Sequence, residues 1–175
     1  MPDRPQSEIR NRMATMRVLG VAVLTVAVAV SAACKPAVPL QQTVKVVEPV
    51  SGWFDAGVTP DGKTKIVPSV SFRLANTGAT ALGSVQLNCI FRRVGDPEEW
   101  STALVRGVPD ELAPGATTPP IVVRAPQGYT GTQPRTELLN NKLFVDAKVE
   151  IFGKHGSSSW AKIADVPITR QLLTQ

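Results

Sequence analysis

The sequence predicts an all-β chain folded as an antiparallel β-sandwich of about seven strands, and three observations carry that prediction. Apolar and polar residues alternate with period two in several runs, the signature of strands with one buried face. These runs are short and are separated at close intervals by turn sequences. Fifteen prolines, and no amphipathic helical pattern beyond a possible turn near "RTELLNNK", argue against a helical core.

The elements are taken in chain order. The stretch "MPDRPQSEIRNRMATMR" carries Arg4, Arg10, Arg12 and Arg17 against Asp3 and Glu8, and is followed by an uncharged apolar run from Val18 to Ala33. A basic region, an apolar region and small residues before a cut site make up an export signal. The apolar run is short of the roughly 20 residues that a membrane span needs. Residues 1–33 are therefore expected to be a signal peptide, helical while it lasts, with Met1, Met13 or Met16 as its start.

At its end, "VSAACK" resembles the lipobox of bacterial lipoproteins, with Ala32 and Ala33 before Cys34 and Ser31 where leucine or valine is usual. The resemblance implies that Cys34 is diacylated on sulfur, becomes the mature N-terminus and ties the chain to a membrane. Two acyl chains make such anchoring stable where one alone is marginal. Ser31-Ala32-Ala33 also satisfies the small-x-small rule of ordinary signal peptidase, which would release a soluble exported protein, and an uncleaved anchor is the third reading. All three place the body outside the cytoplasm. In lipoproteins of Gram-negative bacteria an aspartate after the cysteine commonly causes retention in the inner membrane. Lys35 at that place implies the outer membrane, on its periplasmic side, if the host is Gram-negative.

Residues 34–42, "CKPAVPLQQ", read as a tether, because Pro36 and Pro39 favour an extended spacer. Residues 43–175 are of one-domain size. The chain's net charge is +5, but residues 35–175 carry fifteen Lys and Arg against twelve Asp and Glu. That mild excess, without clusters, gives no reason to expect nucleic acid as a partner.

Strands are expected at "TVKVVEPV", ending at Pro49; at "KIVPSVSFRLANTG", after a turn-rich stretch containing "PDG"; and at "LGSVQLNCIFRRV". In the second, Val70, Phe72 and Leu74 share one face; in the third, Val85, Leu87, Cys89 and Phe91 do. These two adjacent runs are expected to pair antiparallel across the "NTG" turn. Further strands are expected at "EWSTALVRGV", "TPPIVVRAP", "KLFVDAKVEIFG" and "SSWAKIADVPITR". Pro68 and Pro167 should mark edges or bulges, since proline cannot donate to a ladder.

The stretch "VSFRLANTGATALGSVQLNCIF", followed by "ELAPGATTPPIVV", resembles the FxLYD-type and related immunoglobulin-like modules of bacterial envelope proteins. The shared features, over about residues 65–125, are a strand, an Asn-Thr-Gly turn, a second strand and a leucine-x-proline-glycine turn into another strand. "IFRRVGD" stands where the family has its tyrosine-aspartate pair. The resemblance implies an immunoglobulin-like sandwich that binds or scaffolds other proteins, as few such modules are enzymes.

No residue constellation outweighs that expectation. Cys89 is left without a partner once Cys34 is acylated, and its inward phase makes it a buried thiol. His155 stands beside Ser157, Ser158 and Ser159, with Asp165 further on, but no glycine-flanked nucleophile turn accompanies them, so "GKHGSSSW" reads as a polar hairpin. Asp96, Glu98 and Glu99 in "GDPEEW" lack the alternating ligands of a calcium loop and read as a solvated tip. Arg92 and Arg93 read as charges at a ladder edge. No cofactor or metal is expected. Trp53, Trp100 and Trp160 lie near strand ends, where they either pack the core or form a contact patch for a partner. Two functions follow: a non-enzymatic lipoprotein that docks on an envelope protein, or a carrier of a small apolar or lipid ligand between its sheets. The second requires an apolar cavity of roughly 300 Å³ or more.

Overall fold

Period-two alternation dictates strands, and strands with one apolar face must bury it against a second sheet. The computed structural model, which describes residues 39–173, shows that arrangement: an all-β sandwich with two short helices. In chain order the elements are α1 (Leu40–Thr43), β1 (Val44–Val58), β2 (Thr64–Asn76), β3 (Leu82–Arg93), β4 (Ser101–Leu112), β5 (Ile121–Arg124) and β6 (Tyr129–Gly131). They continue with α2 (Arg135–Asn140), β7 (Ala147–His155), β8 (Ala161–Pro167) and β9 (Leu172–Leu173). One sheet runs β5-β2-β1-β9, with β6 also on β2; the other runs β4-β3-β7-β8. Pairing is antiparallel throughout except for the two-residue β1–β9 contact.

The faces fall as the alternation requires. Trp53, Ile66, Val70, Phe72 and Leu74 of the first sheet meet Val85, Leu87, Cys89, Phe91, Val149 and Ile151 of the second, all essentially inaccessible to water. Each such aliphatic or phenyl side chain contributes about 1.5–3 kcal/mol by leaving water.

The partners do not fall as adjacency suggests. The expected β2–β3 hairpin does not exist, since β2 lies in one sheet and β3 in the other. Asn76, at the end of β2, is the reason. Its buried side chain donates through Nδ2 to the carbonyls of Thr80 and Leu112, both at 2.9 Å, and its Oδ1 accepts the Gly78 N–H at 2.9 Å. Its backbone is also used, donating to Ala116 and accepting from Gly115. The "NTG" segment is therefore bound across the sandwich and delivers the chain to the opposite sheet. The "APGA" turn closes on the same spot, with Ala116 N–H on Ala113 C=O at 3.0 Å and Gly115 at φ 74°, a conformation glycine adopts freely.

Other departures have local causes. β1 does not stop at Pro49: a bulge between Val47 and Val50, with Glu48 at φ 52°, absorbs the proline, and the strand runs on through the stretch expected to be turn-rich. Pro68 lies inside β2, which is interior. Its carbonyl accepts the Ala125 N–H, and its missing donor, on the same side, falls where the neighbouring ladder passes from β6 to β5. Pro167 does sit on an edge strand, at the end of β8. β7 begins at Ala147, not Lys142: Phe144 is buried while Leu143 is 86% exposed, the reverse of the phase that holds from Ala147 to Ile151. Two strands more than the expected seven, β6 and β9, are too short to carry a periodic signal.

The expected tether extends too far by three residues. Leu40 is buried, its Cδ2 lying 2.7 Å from where a Cβ on Gly153 would stand, so Gly153 makes the room that docks α1 on the domain.

Two expectations follow for stability. Leu87→Asp places an unpaired charge in the core and should lose about 4 kcal/mol or more, whereas Asn88→Asp, one residue along, keeps the acceptor for Thr102 Oγ1 and should change stability by no more than about 0.5 kcal/mol. Asn76→Ala strands two carbonyls and one N–H and should lose about 3 kcal/mol or more. Denaturant titrations of the purified variants measure all three.

Candidate functional site

The three tryptophans have three different fates. Trp53 is wholly buried, so it cannot touch a partner; its ring meets Phe144 edge-on at 4.7 Å and Tyr129 at 5.5 Å. Trp100, half-buried, closes the same cluster at 5.1 Å from Tyr129 and 6.3 Å from Trp53. Such pairs add roughly 0.5–1.5 kcal/mol each beyond burial. This aromatic corner also explains the broken phase before β7, because Phe144 is drawn inward to complete it. Arg170 lies over the outer face of Phe144 and binds Asp146 through Nε at 2.5 Å and Nη2 at 3.2 Å. Trp160 alone is open to solvent, 40% exposed beside the Lys154 ammonium at 5.4 Å from its ring. Of the proposed contact residues, Trp53 is thus excluded, Trp100 is a packing residue with a solvent-facing side, and Trp160 remains available.

Cys89 is buried in the core and unpaired, and burial pushes its thiol up to about 12, so it stays protonated and inert. Cys34 and Lys35 lie outside the described residues.

His155 ends β7 in an exposed hairpin whose turn is closed by its own backbone: its N–H donates to Ser158 Oγ at 3.1 Å and its carbonyl accepts the Ser158 N–H. Asp96 accepts the Glu98 N–H at 3.0 Å and Arg93 Nη2 at 2.7 Å, and these two bonds, the backbone one first, hold its carboxyl below the usual range. Arg92 and Arg93 do not line an edge, for β3 lies between β4 and β7. Instead Arg92 is one arm of a charge network on the outer face of the second sheet. Glu150 is its centre, receiving Lys162 at 2.9 Å, Arg92 at 3.0 Å and Lys148 at 3.4 Å, with Asp165 bridging both lysines. Lys162 foremost, then Arg92, lower the Glu150 carboxyl to about 2. Cross-strand register assembled this network from three strands, β3, β7 and β8, and no spacing in the sequence announces it.

The remaining surface features are shallow. Clefts among the described residues open at the surface. One, of about 240 Å³, lies beside Leu104 and Arg106 on β4; one of about 160 Å³ lies between α2 and Phe144; and one of about 220 Å³ lies on the outer face of the first sheet. The last is floored by Phe54, over whose ring the Arg124 guanidinium sits at 3.5 Å, and is rimmed by the exposed Val50 and Val122. None of the three lies between the sheets or reaches the size expected of a lipid carrier. Among the described residues no group of three or more potential metal ligands occurs, and no helix is long and apolar enough to cross a membrane.

No family model matches the chain, and no curated protein does. Among solved structures, the chain is similar to the X-ray structure of Northeast Structural Genomics Consortium target SoR45, with 14% sequence identity and a TM-score of 0.42 over 74% of this chain and 89% of that one.

The Glu150 network yields a pH signature. Because the folded carboxyl titrates near 2 and an unfolded glutamate near 4.3, the stability it confers is complete above about pH 5 and is lost as pH falls towards 2. Glu150→Gln should therefore be less stable than wild type by about 1 kcal/mol at pH 7, and the gap should close between pH 4.5 and 2. Thermal melts across that range check the sign.

Proposed function

We propose that this protein is a non-enzymatic exported lipoprotein, tied to the membrane through Cys34, whose β-sandwich serves as a protein-binding or scaffolding module in the cell envelope. One observation carries the binding half of this reading: large apolar side chains, including Leu104 and Val122, stand exposed on the outer faces of a domain that buries its other large apolar residues in one core cluster. Affinity then resides on the outside of the sandwich, where a protein surface fits better than a small ligand.

The anchoring half rests on the lipobox-like "SAAC" and on the short chain between it and the domain. Pro39 already joins α1, so only residues 35–38 separate Cys34 from the described domain, and an acylated Cys34 would hold the sandwich close to the bilayer. In a Gram-negative host, Lys35 favours the outer membrane.

Growth of the host with labelled palmitate tests the anchor directly. Wild type should incorporate label and partition with membranes, and Cys34→Ala should do neither. Equal labelling of the two, or none in either, would sink the lipoprotein reading.

A further inference from the structure

An isolated sheet leaves two rows of unpaired backbone donors and acceptors, and proteins ordinarily guard them. Three of the four edges here are guarded. β5 is four residues long and flanked by Pro119, Pro120 and Pro126; β9 has two residues; β8 carries a register shift opposite Ile151 and Phe152, exposes Lys162 and ends in Pro167. The fourth edge, β4, is twelve residues long. Its first residue is covered, because Ser101 Oγ accepts the Gln127 N–H, and its later part is bulged at Gly107. Between them the segment Thr102-Ala103-Leu104-Val105-Arg106 is regular and free of proline and glycine.

The ladder fixes which of these residues look outward. Val94 N–H donates to Asp146 C=O in register with Arg92↔Lys148, so the even-numbered residues of β3 bond β7 and its odd-numbered ones bond β4. Cys89↔Ala103 and Leu87↔Val105 are consequently the bonded pairs. Thr102, Leu104 and Arg106 then turn their N–H and C=O groups to the open side. Leu104, central among the three, is 71% exposed, and the cleft of about 240 Å³ lies against it and Arg106.

We infer that this edge is covered by the same edge of a second copy of the chain, β4 against β4 in antiparallel register about a two-fold axis at Leu104. This rests on the binding-module reading and names its partner. A two-fold contact is self-complementary, and the segment meets that condition. Leu104 falls opposite Leu104, so the two exposed side chains cover each other. Thr102 falls opposite Arg106, so no like charges meet, and the hydroxyl offers an acceptor to a guanidinium that makes no ion pair among the described residues. The three outward residues of each copy form six backbone hydrogen bonds and join two four-stranded sheets into one of eight.

Cysteine cross-linking in the full-length chain, in intact envelopes, reads both partner and register. Residues opposite each other in a bonded pair have Cα atoms about 5.5 Å apart, within disulfide range. With copper-phenanthroline as oxidant, Leu104→Cys should give a disulfide-linked product of twice the chain mass. Thr102→Cys alone should stay at the wild-type level, and Thr102→Cys/Arg106→Cys should cross-link again. In detergent, sedimentation should find two wild-type chains per particle and one for Leu104→Lys, whose far-ultraviolet circular dichroism should match that of the wild type. A monomeric wild type, or equal cross-linking from Leu104→Cys, Thr102→Cys and the remote Val122→Cys, would overturn the dimer. So would a Leu104→Cys product joined to a chain of different mass, although that result would leave the binding-module reading standing.

Discussion

The arrangement depends on one buried amide. Asn76 ties three segments at one point, the end of β2, the start of the crossing to β3 and the turn after β4. A carboxamide suits this place because it offers two donors and an acceptor in one plane, and here every one is used. In the dry interior each unmade bond would leave a carbonyl or N–H without water. With Asn76 in place, β2 and β3 are committed to opposite sheets, and their apolar faces confront each other instead of lying side by side.

Confrontation of those faces determines where function can reside. The side chains of Phe72, Leu74, Leu87 and Phe91 join one buried cluster between the sheets, and Trp53, Tyr129 and Phe144 pack on one another beside it. The C-terminal segment is held as well: Ser51 is buried and bonded to Pro167, Thr169 and Gln171, so β1 is stitched to the chain that follows β8. A domain packed in this way presents its outer faces and edges to the surroundings. The outer face of the second sheet is occupied by the Glu150 network, whose charges largely satisfy one another, and the regular half of β4 is left as the one long unguarded ladder among the described edges.

The lipid tether and the edge pairing proposed above would reinforce each other. Chains held to one membrane by the proposed lipid would meet at a raised effective concentration, which would strengthen the association that the proposed β4 contact provides.

The sequence by itself determined the class of fold and which residues face inward. Alternation is a local property of the chain, and Val70, Phe72, Leu74, Val85, Leu87, Cys89 and Phe91 are all buried as their phase requires. It also marked Asn76 and the "APGA" turn as turn chemistry, and the exposed hairpin at His155. What only the tertiary structure decided is pairing. Period two says which face a residue takes and nothing about which strand lies beside it, so β2 and β3 looked like a hairpin, Arg92 looked like an edge charge and the Glu150 network was invisible. The same limit hid the fates of the tryptophans, since Trp53 and Trp160 differ only in what packs on them. Phe144 left the phase of its own strand because a neighbouring cluster offered more burial, a competition between local pattern and long-range packing that no window of sequence contains.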